Sequence, residues 1–509
     1  MIQPRGRGYA PGMLGAVPHE DGTVELTVWA PTARSLAVHT ANGAHPLDRG
    51  DDDGIFTGSF PGGHRDEYLL CADGGETLPD PCSRWQPYGV RGASAVLDPR
   101  RVANERIGLS LDELVIYELH VGTFSDEGTF DAAIPKLRGL RELGVTAIEL
   151  MPVATFPGER GWGYDGLYTY APHPAYGGPE GLARVVAAAH ETGLGVILDV
   201  VYNHVGPGNE ALTAFAPYFT SKHSTFWGDA LDYENRGVRE WAAQNAEMWI
   251  RDYAVDGLRL DAVHAIFDDS PTHICKEIKD RVGDALVISE TETDDWRPID
   301  EWGHDAQWAD RSHHELHVLL TGERDGYYAE YGSVRGLAED LRGRGHETRR
   351  LVVCAQNHDQ VGNRALGDRL PPDALKVAAA VTLFSTCTPL LFMGEETLEP
   401  HPFQFFTDHI DPEIADATRR GRKQEFEAFA SFAGAEVPDP QDAETFLRSK
   451  LSDGRAPDPL YRRLLELRRK LPRELEVVEA DDEAKRLRLR RGHVELDVDF
   501  ANKTVALRD

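Results

Sequence analysis

In the stretch DGLRLDAVHAI, residues 256–266, Leu258, Leu260 and Val263 suit a strand packed in a core, yet Arg259 and Asp261 interrupt them. Residues two apart in a strand point to the same face. An unmatched buried charge is costly, so such a pair persists only where the charges are paired or used. Other segments collect polar residues at their ends in the same way. VILDVVYNH carries Asp199, Asn203 and His204, GLRLDAVH adds His264, LVISE ends at Glu290, and VVCAQNHD ends with Asn357, His358 and Asp359. Any one of these alone reads as a structural ion pair or a capped strand end as readily as a catalytic group. As a set they fit glycoside hydrolysis. A retaining glycosidase needs one ionised carboxylate as nucleophile and one carboxylic acid to protonate the leaving oxygen. Asp261, beside Arg259, is expected to stay ionised. Glu290 follows the apolar run Leu286, Val287 and Ile288, and partial desolvation there would keep it protonated. Asp359 could stabilise an oxocarbenium-like charge.

Such groups need a scaffold that brings several strand ends together. From about residue 112, apolar strand-like runs alternate with helical patterns: LVIYELHV, VTAIELMPV, LGVILDVVY, DGLRLDAV, ALVISE, DAQWAD, LVVCAQNH and PLLFMGEE, eight in all. TFDAAIPKLRGLRELG, GPEGLARVVAAAHETG and VREWAAQNAEMWIRDYA are among the helical segments between them. This alternation predicts an α/β fold, a (β/α)8 TIM barrel, whose active site lies at the C-terminal ends of the strands. The sixth run is short and polar, and is accepted mainly because the count requires it. Residues 1–108, with short alternating strands and Gly/Asp turn clusters, predict an N-terminal β-sandwich. Residues 109–472 hold the barrel, and 473–509 a small C-terminal β domain.

DVVYNH, GLRLDAVH, a strand-ending Glu and NHDQ, in this order, resemble the four short sequence regions of the α-amylase family, glycoside hydrolase family 13. The resemblance implies that Asp261 is the nucleophile, Glu290 the general acid/base and Asp359 the transition-state stabiliser. Arg259 would orient Asp261, His204 and His358 would bind the sugar at the cleaved subsite, and Tyr164 in GWGYDG would stack on it. One departure stands out: the acid/base Glu of the family is usually followed by Asp or Asn, whereas here the run is SETETDD. Glu292 is therefore a competing acid, and Glu290 is preferred because it directly follows the buried run. The segments YELHVGTFSDEGTFDAA, APHPAYGGPEGLARVV, DAQWADRSHHELHVLLTGERDGYYAEY and LLFMGEETLEPHPFQFFTDH resemble a narrower group of that family, which cuts the α-1,4 bond next to a terminal trehalose. That likeness implies a malto-oligosyltrehalose or related α-glucan as substrate. Its substrate-contacting segments match RLDAVH, DRSHH and HDQVGN here, which adds His264, Asp310, His313, His314, Gln360 and Asn363 to the binding residues.

The remaining composition excludes more than it assigns. The formal net charge of −31 repels phosphate backbones, so no nucleic-acid partner is expected. No run of apolar residues is long enough to span a membrane. The first residues lack an apolar signal-peptide core, and five scattered cysteines without a CxxC pair suit a reducing cytoplasm. In HHELH the histidines His314 and His317 are three apart rather than the four of a zinc-protease helix, so no metal is expected. Neither GxGxxG nor GK[ST] occurs in AYGGPEG, and no cofactor is expected. Two other readings stay open: a glycogen-branching type of α-glucan transferase, and a non-catalytic glucan-binding protein. Oligomeric state is not readable from the sequence.

Overall fold

The computed structural model describes residues 12–50, 54–225, 227–427 and 437–508. All eight apolar runs become strands of one closed parallel barrel. They are β1 (Ile116–Leu119), β2 (Ala147–Leu150), β3 (Gly195–Val200), β4 (Gly257–Leu260), β5 (Leu286–Ser289), β6 (Ala306–Trp308), β7 (Leu351–Cys354) and β8 (Thr388–Phe392). Each pairs with the next, and β8 closes on β1 through Leu391 opposite Tyr117. Every residue of these strands is buried, which is why they read as continuous apolar runs rather than as alternating ones. Ile116, Ala147, Ile197, Ile288, Ala306, Trp308, Val352 and Leu390 fill the barrel interior. The intervening residues face the surrounding helices. The polar sixth run forms a three-residue strand in which Gln307 Nε2 donates to the carbonyl of Asp295 at 3.0 Å.

The principal helices include α1 (Phe130–Leu143), α2 (Gly178–Thr192), α3 (Arg236–Asp252), α4 (Ile274–Val282), α5 (Asp310–Thr321), α6 (Val334–Leu341), α7 (Pro372–Phe384) and α8 (Pro459–Lys470). Side-chain caps mark several starts: Thr129 accepts from the N–H of Ala132, Asn235 from Gly237, and Asp458 from Leu460. Gly193 closes α2 in the left-handed conformation, φ 78°, that helix ends favour.

A large N-terminal sheet and a small C-terminal sheet flank the barrel. Seven N-terminal strands trace one antiparallel hydrogen-bonded path and an eighth, Ser94–Ala95, pairs with Glu67–Ala72; strand Gly43–Arg49 pairs on both sides so that the sheet folds over its own core of Val24, Leu26, Val38, Phe56 and Leu70. This region docks on α3 through Trp29. A Cβ on Gly237 would lie 2.0 Å from the Trp29 ring, so only glycine lets the two surfaces meet. At the other end, β9 (Glu476–Asp481), β10 (Arg486–Arg491), β11 (Val494–Asp499) and β12 (Thr504–Arg508) form an antiparallel meander. Its buried Arg491 donates to the carbonyls of Phe384 and Ser385, satisfying the C-terminal end of α7.

Candidate active site

Barrel register places Asp199 of β3 directly opposite Arg259 of β4. Arg259 is fully buried, and its guanidinium gathers three carboxyl groups. Nη1 donates to Asp199 at 2.9 and 2.8 Å and to Asp261 Oδ1 at 2.7 Å, while Nη2 donates to Glu290 Oε2 at 2.9 Å. The planar fork makes this possible, because its nitrogens diverge in fixed directions. Behind it the Trp308 ring lies 4.3 Å from the guanidinium carbon, a cation–π contact in a desolvated setting.

Past β4 the chain turns sharply at Ala262, which adopts the left-handed conformation with φ 41° and ψ 52°. The turn aims the Ala262 N–H at Glu290 Oε2, 2.8 Å away. Oε2 thus accepts from two donors, and a proton carried by Glu290 belongs on Oε1. Asp261 Oδ2 accepts from Asn203 Nδ2 at 2.6 Å, and Asn203 is itself tied to the His204 ring. His204 reaches the carbonyl of Tyr164 at 2.9 Å, and the Tyr164 hydroxyl donates to Asp199 at 2.6 Å.

The two central carboxyls have opposite electrostatics. Burial alone would raise the pKa of Asp261, but the Arg259 charge, His204 and the Asn203 hydrogen bond outweigh it and hold the group below its ordinary range. Burial dominates at Glu290. Arg259 opposes it, while Asp261, Asp359 and Asp310 reinforce it, and the carboxyl lies well above the usual range. A pair of titratable groups pushed apart in this way is the signature of an acid beside an ionised partner.

Three comparisons bear on the assignment. A family model described as the alpha-amylase catalytic domain matches residues 55–228. The malto-oligosyltrehalose trehalohydrolase of Saccharolobus solfataricus is 43% identical over 473 residues, covering 85% of this chain and 82% of its own. That of Rhizobium sp. strain M-11 is 41% identical over 552 residues, covering 96% and 92%. The chain belongs to the malto-oligosyltrehalose trehalohydrolase family. It is a glycoside hydrolase. A crystal structure from Salmonella typhimurium, provisionally described as an alpha amylase, superimposes with a TM-score of 0.86 at 36% identity, covering 95% of this chain and 92% of that one.

Within this trehalohydrolase-family barrel, the structure brings Tyr164, His204, Arg259, Asp261, Glu290, His358 and Asp359 together. Tyr164 stacks on His358, ring centroids 5.2 Å apart and planes at 24°, and its hydroxyl lies 2.8 Å from His358 Nε2. Asp359 lies in the first turn of the short helix His358–Gly362, where Asn363 Nδ2 donates to Asp359 Oδ1 at 3.0 Å. Glu292 is exposed and makes no contact with Arg259 among the hydrogen bonds of the described residues, which separates it from the cluster around Glu290.

The residues expected to line the leaving-group side form a second wall. Asp310 begins α5, and burial with the nearby Asp359 charge raises its pKa to about 7. His313 is buried and packs against His317, whereas His314 sits among Tyr327, Tyr328 and Tyr331 at centroid distances of 5.1, 5.4 and 4.9 Å. Burial drives both imidazoles toward the neutral form, His314 to about 4. The Tyr328 hydroxyl donates to Gln360 at 3.2 Å, tying this wall to the helix that carries Asp359. His264 lies in the turn after Asp261, with a buried Nδ1 that has no hydrogen-bond partner.

Several residues escaped sequence reasoning. Glu118 of β1 grips His358, its Oε1 lying 2.5 Å from Nδ1 and its Oε2 accepting the backbone N–H at 2.9 Å. Glu149 of β2, opposite Glu118 in register, is fully buried without a partner for either oxygen, and burial with the Glu118 charge raises its pKa well above the ordinary range. The anomaly that exposed Arg259, a charge inside an apolar strand run, marks both glutamates in IYEL and AIEL. Trp227, 48% exposed, stacks on His204 at 4.1 Å and 1°, and nothing in its local sequence pattern signals this.

Proposed function

We propose that the chain is a retaining glycoside hydrolase that cleaves the α-1,4 bond adjacent to the terminal trehalose of a malto-oligosyltrehalose, releasing trehalose and a malto-oligosaccharide. The observation that carries this reading is one guanidinium holding both Asp261 and Glu290, in surroundings that lower the pKa of the former and raise that of the latter. A shared fork keeps the two carboxyls close, and a separation of about 5–5.5 Å is what double displacement requires. Asp261 attacks the anomeric carbon as the glycosidic C–O bond breaks, and Glu290 transfers its Oε1 proton to the departing trehalose oxygen. Glu290, now a carboxylate, takes a proton from water, whose oxygen displaces Asp261 from the anomeric carbon. The acid is regenerated and the malto-oligosaccharide leaves.

Asp359, in the short helix that follows β7, would stabilise positive charge in the transition state. Tyr164, His204, Arg259 and His358 would hold the sugar and the nucleophile at the cleaved subsite. Asp310, His313, His314, Gln360, Asn363 and His264 would contact the leaving group and its neighbours. Neutral imidazoles and tyrosines suit this task, since they hydrogen-bond hydroxyls without demanding a charged partner. The three-domain division at residues 108 and 472 follows the same reading, as does a cytoplasmic setting for five buried, unpaired cysteines.

Incubation with a malto-oligosyltrehalose and identification of the products tests the assignment. Trehalose and a shortened malto-oligosaccharide with retained anomeric configuration support it. New α-1,6 linkages would instead indicate a branching transferase, and binding without turnover a glucan-binding protein.

A further inference from the structure

We propose that Glu118 is a positioning residue for this reaction: its carboxylate keeps His358 a doubly protonated imidazolium and so fixes the direction of the hydrogen-bond chain that ends on Arg259 and Asp261. The inference rests on the catalytic roles assigned above to Arg259 and Asp261.

The proton inventory follows from the geometry. Glu118 Oε2 accepts the His358 backbone N–H at 2.9 Å, and Oε1 lies 2.5 Å from His358 Nδ1. An imidazole is a stronger base than a carboxylate, so the proton between Glu118 and the ring belongs to Nδ1. At the other edge, Nε2 lies 2.8 Å from the Tyr164 hydroxyl. That hydroxyl has one proton, and it points to Asp199 Oδ2 at 2.6 Å, where Asp199 also accepts twice from Arg259. A hydroxyl whose proton is so committed can only accept from Nε2. Both ring nitrogens are then protonated.

The titratable and charged groups facing this imidazole come from every side. Glu118 lies on β1, Glu149 on β2, Asp199 on β3, Arg259 on β4, Asp310 at the start of α5, and Asp359 on its own helix with Oδ2 3.4 Å from Nε2. His120, just after β1, is neutralised by burial. Burial works against the cation, but Asp359 and Glu118 together overcome it and hold the His358 pKa at about 10.

Loss of the Nε2 proton would reverse the chain. Nε2 would become an acceptor, the Tyr164 proton would swing toward it, and Asp199 would be left with Arg259 alone. Arg259 would then be drawn toward Asp199 and away from Asp261 and Glu290. Glu118 thus acts through His358 on the group that aligns both central carboxyls.

The test uses an α-maltosyl fluoride, because fluoride departs without a proton from Glu290 and the acid's own ionisation drops out of kcat/KM. The wild-type enzyme is expected to give a level kcat/KM from pH 7 to 9. Glu118→Gln, folded by circular dichroism, is expected to lose at least ~10-fold across the same range, as a neutral amide no longer holds the imidazolium. A level profile at a uniformly lower rate would show a merely structural role and overturn the proposal. A wild-type limb between pH 7 and 9 would overturn it as well, which keeps the test decisive if the variant does not fold. Adding Glu118→Gln to a His358→Gln enzyme is expected to cost less than ~3-fold more, and a full multiplicative loss would refute action through His358. Trehalose release from malto-oligosyltrehalose, measured separately, reports the substrate assignment, so the two readings fail independently.

Discussion

Replacing Arg259 by lysine keeps the charge and removes the fork. The guanidinium makes four hydrogen bonds to three carboxyl groups through two terminal nitrogens. A lysine ammonium is a single point of donation and cannot span Asp199, Asp261 and Glu290 together. If it retains the contact to Asp199, the bonds to Asp261 and Glu290 are lost, each worth about 1.5–3 kcal/mol as a charge-assisted hydrogen bond. Part of the resulting ~3–6 kcal/mol appears as lower stability, because the carboxyls relax toward the ammonium. If about half is expressed in the transition state, roughly 1.5–3 kcal/mol, kcat falls by about 10- to 150-fold. The assay is trehalose release at saturating malto-oligosyltrehalose, with circular dichroism and Tm confirming the fold. A folded Arg259→Lys enzyme that retains kcat within about fivefold of wild type, under ~1 kcal/mol of barrier, would show that Arg259 is only a counter-charge.

Further expectations separate the neighbouring roles. Glu290→Gln should lower trehalose release by ~10³-fold while sparing the first step with maltosyl fluoride far more, and Glu292→Gln should leave both within about twofold. The enzyme should prefer a trehalose-ended chain over an equal-length maltodextrin by ~100-fold in kcat/KM, about 2.7 kcal/mol, and His313→Ala or His314→Ala should shrink that ratio more than it lowers maltodextrin turnover. Equal cleavage of both chains by the wild type would remove the substrate assignment. His358 carries a pKa raised to about 10, so the stability it adds is complete below its unfolded value near ~6.5 and is lost as pH rises through 10. Melting curves should therefore show wild type converging on His358→Gln between neutral pH and pH 10, and a constant gap would count against a charged His358. Glu149, whose pKa is raised by burial, loses stability as pH climbs above the ordinary carboxylate range. Glu149→Gln should accordingly raise Tm more at pH 8 than at pH 5, and an equal shift at both would refute a buried neutral acid.

The barrel was legible because its strands are buried on both faces, so their apolar runs stand out whatever their neighbours do. Even the three-residue β6 could be found, though only from the requirement of closure. Arg259, Asp261, Glu290 and Asp359 were legible because each breaks or ends an apolar run. Glu118 and Glu149 break such runs too, but with no partner nearby in sequence their use could not be read. Their meaning depends on which strands meet across the barrel, and register between β1, β2 and the start of the His358 helix is a property of the closed sheet alone. Trp227 illustrates the opposite case. It belongs to a hairpin, strands Phe219–Thr225 and Gly228–Leu231, whose placement over His204 is set by tertiary packing and leaves no local trace.

The left-handed Ala262 has a bearing on how this enzyme could be made more heat-resistant. A non-glycine residue in that conformation stores about 1–2 kcal/mol of backbone strain in the folded state. Glycine would release the strain, but it would also widen the conformational freedom of the unfolded chain by a comparable amount. The two effects oppose each other, so Ala262→Gly offers little gain in melting temperature. What alanine contributes is narrowness: its methyl group removes backbone states open to glycine, and the amide that touches Glu290 is confined to one orientation. Thermal hardening is better sought away from this turn, where rigidity and catalytic alignment are not carried by the same peptide.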